Sequence, residues 1–157
     1  MKKPFSKSLY EASDSKAKEN MILWLLEKFP KCSINSKETT YFDITLETDN
    51  GSPDHFYEVE IKYSWKEDWP DNWDELRIPY RKKRLLDKWK EEYSNNDLTF
   101  VVFNNDCTKA WHVDANILED CEVKEVSNRH VKEGELFFHI PTNQAYQVDM
   151  THGSSSS

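Results

Sequence analysis

Glycine is scarce, at three in 157 residues. No Gly-rich loop of the kind that cradles a phosphate or a dinucleotide can be found, which excludes Walker and Rossmann nucleotide binding. Cysteine is equally rare. Cys32, Cys107 and Cys121 are odd in number and widely spaced, so neither a disulfide framework nor a paired zinc site is expected, and all three are read as reduced. No apolar run approaches the length of a membrane span. The opening MKKPFSKSLYEASDSK lacks the apolar stretch of a secretory signal, so a cytoplasmic protein with no membrane partner is expected. The histidines, His55, His112, His130, His139 and His152, show no metal-ligand or nucleophile spacing.

What remains is the composition of a globular α/β chain, with 37% hydrophobic and 13% aromatic residues. The length suits one core, so a single domain is expected over 13–150, with a flexible basic arm at 1–12 and a disordered Ser-rich tail at 151–157. The net charge of −8 speaks against a nucleic-acid partner, since phosphate attraction is the sequence-independent part of such binding. Distribution matters more than the sum. Acids that hold a metal also count toward the total, and a local basic face can bind while acids elsewhere keep the chain soluble.

Periodicity predicts a first helix over 13–29, with Ile22, Leu25, Leu26 and Phe29 on one stripe and Pro30 as its stop. A short strand at 32–35 follows. The run 41–48 (YFDITLET) alternates as a half-buried strand, Phe42, Ile44 and Leu46 on one face and Asp43, Thr45 and Glu47 on the other. After the turn DNGSPD, HFYEVEIKYS alternates again, with Tyr57, Val59, Ile61 and Tyr63 opposite Glu58, Glu60 and Lys62. The two runs read as a hairpin. A Trp-rich connector, a helix over 79–93, a buried strand at 98–104, a strand KAWHV, a short helix near 115–119 and two strands around 121–126 and 135–140 complete the chain.

Asp43 and Glu60 lie on the polar faces of the two paired strands, so their carboxylates can converge over one face of the sheet. Hard oxygens so placed suit Mg²⁺, which keeps several waters for a phosphate to displace. Lys62, two positions past Glu60, projects from the same face, where its amine can position water and offset charge on a phosphate. The Ile61 carbonyl is a further candidate ligand. Glu19 falls on the predicted sheet-facing stripe of the first helix, where an acid is costly unless partnered; the helix macrodipole also favours an acid early in a helix, and both readings stand. The bland alternative for the strands is a solvated face whose Glu and Lys pair across them.

With these residues on the page, the chain resembles the PD-(D/E)xK nuclease superfamily, and among its members the archaeal Holliday-junction resolvases and related small endonucleases. The likeness runs from Lys16 to Asp114, through ENMILWLLEKFP, YFDITL, YEVEIKYSW, LTFVVFN and KAWHVD in order. It departs from the family in having Phe42, not proline, before Asp43. The resemblance implies a restriction-endonuclease-like core, a central mixed sheet flanked by helices in αβββαβ order. It further implies Mg²⁺-dependent cleavage of DNA, with Mn²⁺ able to stand in, and a homodimer. By position, Asp43 and Glu60 would be metal ligands, Lys62 the lysine beside the water, and Glu19 the helix acid that some members use. A catalytically inactive nucleic-acid- or protein-binding module on the same fold is the alternative.

The segment RIPYRKKRLLDKWK concentrates Arg77, Arg81, Lys82, Lys83, Arg84, Lys88 and Lys90 around a single acid, Asp87. Arg77, Arg81, Lys82, Arg84 and Lys88 are the candidates for gripping a DNA backbone, Arg81 and Arg84 foremost; an ordinary solvated helix face would look the same. Trp65, Trp69 and Trp73 recur every four residues and can stack on bases, join a dimer or pack over the sheet edge, the last being favoured.

Overall fold

A computed structural model of the chain describes residues 7–36, 42–47, 54–125 and 135–152, with side chains from 15 onward. Helix α1 (Lys7–Lys28) is followed by strands β1 (Ser33–Asn35), β2 (Ile44–Glu47) and β3 (His55–Ile61). Strand β4 (Glu75–Pro79) leads through a 3₁₀ turn (Tyr80–Lys82) into helix α2 (Lys83–Glu92). Then come β5 (Asp97–Phe103), β6 (Lys109–Asp114), α3 (Ala115–Glu119), β7 (Glu122–Glu125), β8 (Leu136–Pro141) and β9 (Tyr146–Asp149). The result is a mixed α/β protein. A six-stranded sheet runs in the order β1-β2-β3-β5-β6-β9, and a three-stranded sheet in the order β4-β8-β7.

In the larger sheet β1, β2 and β3 form an antiparallel meander, while β5 lies parallel to β3 on its other side. Strand β3 is therefore central, not half of an exposed hairpin, and both its faces are covered. Tyr57 and Val59 join Ile44, Leu46, Val101 and Phe103 in a cluster beneath α1, and Phe56 joins Leu98, Phe100 and Val102 in a second cluster that includes Leu85 and Leu86 of α2. That burial explains why a run carrying two glutamates still folds as a core strand: the apolar residues on both sides supply the driving force.

Several expectations change. Helix α1 begins at Lys7 and not near 13, so the second half of the expected arm is helical; residues 1–6 lie outside the described residues. Among its described side chains the wholly buried ones are Ala17, Met21 and Leu25, whereas Leu26 and Phe29 are exposed. Small Ala17 lets the helix approach the sheet closely, and this turns the buried stripe away from the one predicted. Phe42 packs with Phe56 on the α2 side, because the alternation starts only at Ile44. The helix expected from Pro79 starts later: Leu76 and Ile78 alternate inward around exposed Arg77, and Glu75–Pro79 pairs with β8 as a strand. Strand β9 was not foreseen. Of the expected tail, Thr151 and His152 are tied down, Thr151 to the Asp149 carboxylate and His152 to Asn20 at 2.9 Å; residues 153–157 lie outside the described ones.

Candidate functional site

The site is built around the end of β3. Ile44 pairs with Tyr57, so one step back along the antiparallel register sets Asp43 beside Glu58, on the face that also carries Glu60 and Lys62. Side-chain hydrogen bonds fix this arrangement. The Asp43 N–H donates to Glu58 Oε2 at 2.7 Å, and the Val59 N–H donates to Asp43 Oδ2 at 3.0 Å. The second Asp43 oxygen, Oδ1, lies 3.8 Å from the Lys18 amine. Ile61 closes the strand opposite Phe103, and the Lys62 N–H continues the ladder to the Phe103 carbonyl at 2.8 Å.

A buried cation stands among these acids. Lys82, from the 3₁₀ turn before α2, donates to Glu58 Oε1 at 2.9 Å, and the two side chains are 11% and 3% exposed. Both oxygens of Glu58 thus accept from donors, which favours its carboxylate form. Burial pushes the Glu58 carboxyl up, to about 7, against the pull of Lys82. Burial alone would lower Lys82, yet Glu58, Asp43 and Glu60 together hold its amine above the usual lysine range. Glu60 is raised chiefly by burial, with Asp43 adding, while Lys82, Arg81 and Lys62 draw it back. Lys62 is lowered by burial and by Arg77, with Glu60 opposing; its amine sits 5.2 Å from the centre of the Trp73 ring. The gap bounded by Glu58, Glu60, Ile78, Lys82 and Phe100 has no room for a water molecule.

Asp43, Glu60, Ile61 and Lys62 are therefore brought to one end of one strand pair. Glu19 is not: it is exposed, on the side of α1 away from the buried Ala17–Met21–Leu25 stripe. The neighbouring Lys18 is the α1 side chain that reaches Asp43. Lys82 also departs from expectation, since its amine is engaged inside with Glu58 and is not a surface phosphate contact. Glu58 was missed as a site residue. The signal was present in the shared period of Glu58, Glu60 and Lys62, but the acid–spacer–lysine spacing pointed to Glu60 alone.

The basic segment is more neutral than its composition suggests. Arg77 lies 3.9 Å from Glu75, Arg81 3.6 Å from Glu135 and Lys90 3.5 Å from Glu119. Lys83 pairs with Asp87 at 2.7 Å, and Lys88 with Glu92. Arg84 is exposed. Exposed pairs of this kind are worth about 0–1 kcal/mol, so phosphates can displace the acids. The tryptophans pack inward: Trp65 is wholly buried, and Trp65, Trp69 and Trp73 meet edge to face, with Trp69 also against Trp111.

Among the described residues no three His, Cys, Asp or Glu side chains gather closely enough to hold a metal on their own. Mg²⁺ asks for less: one or two carboxylates, with waters and substrate oxygens completing the shell. Asp43, Glu60 and the Ile61 carbonyl offer oxygen donors of that kind. No helix among the described residues is long and apolar enough to cross a membrane. Comparison with models of known protein families gives no match, and none of the curated proteins matches the chain either.

Proposed function

We propose that the chain is a Mg²⁺-dependent DNA endonuclease. The observation that carries this reading is that Asp43 is held against the central strand β3 at Val59, just before Glu60 and Lys62 at that strand's end, with the charges of Lys82, Arg81 and Lys62 acting on Glu60. Within the larger sheet, α1, a three-stranded meander and, after α2, β5 parallel to β3 are in keeping with a restriction-endonuclease-like core in αβββαβ order, from which the chain departs by inserting β4, a strand of the smaller sheet, between β3 and α2. Fold resemblance alone would not carry chemistry; the acids and lysine do.

In this reading Asp43, Glu60 and the Ile61 carbonyl hold Mg²⁺, and Mn²⁺ is its substitute. The bound ion would supply Lewis acidity at the phosphate and a more acidic water. Lys62, its amine lowered by burial and Arg77, orients the attacking water and offsets charge gathering on phosphorus. The water oxygen bonds to phosphorus as one ester P–O bond breaks, and the departing oxygen takes up a proton. Arg77, Arg81 and Lys88 grip flanking phosphates by exchanging their present carboxylate partners, and exposed Arg84 joins them. A homodimer would place two such sites for cuts on opposite strands, and sedimentation velocity showing monomer at every concentration would remove that part.

One observation favours the second reading, a non-catalytic binding module: the amines of Lys82 and Lys18 face the acids Glu58 and Asp43 and balance their charge. The discriminating experiment incubates plasmid, branched and single-stranded DNA with Mg²⁺ and wild-type protein, Asp43→Ala or Lys62→Ala. Cutting by wild type alone supports the enzyme. DNA retention without cutting, equal in all three proteins, supports the module.

A further inference from the structure

The acid–spacer–lysine motif explains Glu60 and Lys62 but not how Asp43 is held. Asp43 precedes β2 and lies outside its ladder with β3, which the described register carries only as far as Ile44. Its anchorage comes from two hydrogen bonds instead. Glu58 Oε2 accepts its N–H at 2.7 Å, and one of its own oxygens, Oδ2, accepts the Val59 N–H at 3.0 Å. The first fixes the main chain and the second the carboxylate, while the other oxygen, Oδ1, meets the Lys18 amine at 3.8 Å. Glu58 can serve this way only while its other oxygen is satisfied, because it is 3% exposed and cannot turn to water. Lys82 satisfies it at 2.9 Å.

We propose that Glu58 and Lys82 are a positioning pair that presents the Asp43 carboxylate to a divalent cation. Neither residue is a ligand. Lys82 holds Glu58, Glu58 holds the Asp43 main chain, and Asp43 Oδ1 faces the Lys18 amine at 3.8 Å, the partner that a cation would displace. A charged partner behind a metal ligand orients it, and losing such a partner typically weakens metal affinity or activity about 10–100-fold. The inference rests on the metal-site reading of Asp43, and not on DNA being the substrate.

The test uses Mn²⁺ alone, with the full chain at pH 8, free Mn²⁺ being read by electron paramagnetic resonance. Wild type, Asp43→Ala, Glu58→Gln, Lys82→Met and Lys82→Arg are titrated at a temperature where circular dichroism shows each to be folded. Wild type should bind and Asp43→Ala should not. Glu58→Gln and Lys82→Met should each bind about 10–100-fold more weakly, and Lys82→Arg should recover most of the loss. In the same samples without Mn²⁺, the Asp43 amide should be protected from hydrogen exchange in wild type and should lose that protection in Glu58→Gln. Unchanged Mn²⁺ affinity in folded Glu58→Gln and Lys82→Met would overturn the proposal and leave the pair a structural one. Wild type binding Mn²⁺ through Asp43 yet cutting no DNA would remove the nuclease reading and keep the positioning pair. No Asp43-dependent binding would remove both.

Discussion

Replacing Lys82 with methionine isolates the energetics of the charged pair within the core. The Lys82–Glu58 contact of 2.9 Å corresponds to about 6 kcal/mol of Coulomb attraction at an effective dielectric of about 20. Desolvation of two nearly buried side chains offsets much of that, so the pair as a whole contributes little net stability. Removing one partner is different. Glu58, 3% exposed, would then carry a charge without its cation or take up a proton and lose its role as acceptor, and the expected cost is about 3–5 kcal/mol. Glu58→Gln should cost a comparable amount by stranding the ammonium. The double substitution Glu58→Gln with Lys82→Met leaves no uncompensated charge and should cost less than either single one. Urea unfolding reports all four stabilities without the screening that guanidinium salt would add. Costs that simply add, with the double variant the least stable, would refute the coupling.

The remaining predictions address packing, pH and the basic surface. Leu25→Ala should destabilise by about 2–5 kcal/mol, while Leu26→Ala on the exposed side of α1 should stay within about 0.5 kcal/mol; equal effects in urea unfolding would return the buried stripe to the one predicted. His112 is buried against Met150, with Trp24, Tyr146 and His55 around it, and burial lowers its pKa to about 4. The unfolded chain binds that proton below about pH 6.5 and the folded chain does not until about pH 4, so stability should fall by up to about 3 kcal/mol as pH drops through this window. His112→Gln should flatten that dependence relative to wild type, and identical slopes would contradict the assignment. Paired Arg81→Gln and Arg84→Gln substitutions should weaken DNA retention evenly across sequences and reduce its salt dependence; an unchanged salt slope in a filter-binding series would show that these side chains do not meet phosphate.

The fold was largely legible because its main strands announce themselves. Leu98–Phe103 is apolar almost throughout and is buried on both faces, and the alternation of Ile44–Glu47 and His55–Ile61 gave the right pairing. What local pattern could not show was the second layer. The strand at Glu75–Pro79 has only Leu76 and Ile78 to mark it, and its partner β8 lies about sixty residues on, so helical propensity after Pro79 dominated the reading. The shared face of Asp43, Glu60 and Lys62, the candidate site, follows from period two. Glu58 was given no role and Lys82 was expected at the surface, where charged residues usually lie; their pairing 24 positions apart shows why both are tolerated in the core. Glu19 went astray with the rotation of α1 that Ala17 permits.

The central claim of the proposed function is that the residues at the end of β3 cut a phosphodiester bond with a divalent ion. Supercoiled plasmid and branched DNA, incubated with purified protein and Mg²⁺, measure it directly on a gel. The expected result is nicked or resolved product with wild type, and none with Asp43→Ala, with Lys62→Ala or after chelation. Intact DNA with wild type across the substrate panel, or product that persists undiminished in both variants, would contradict it.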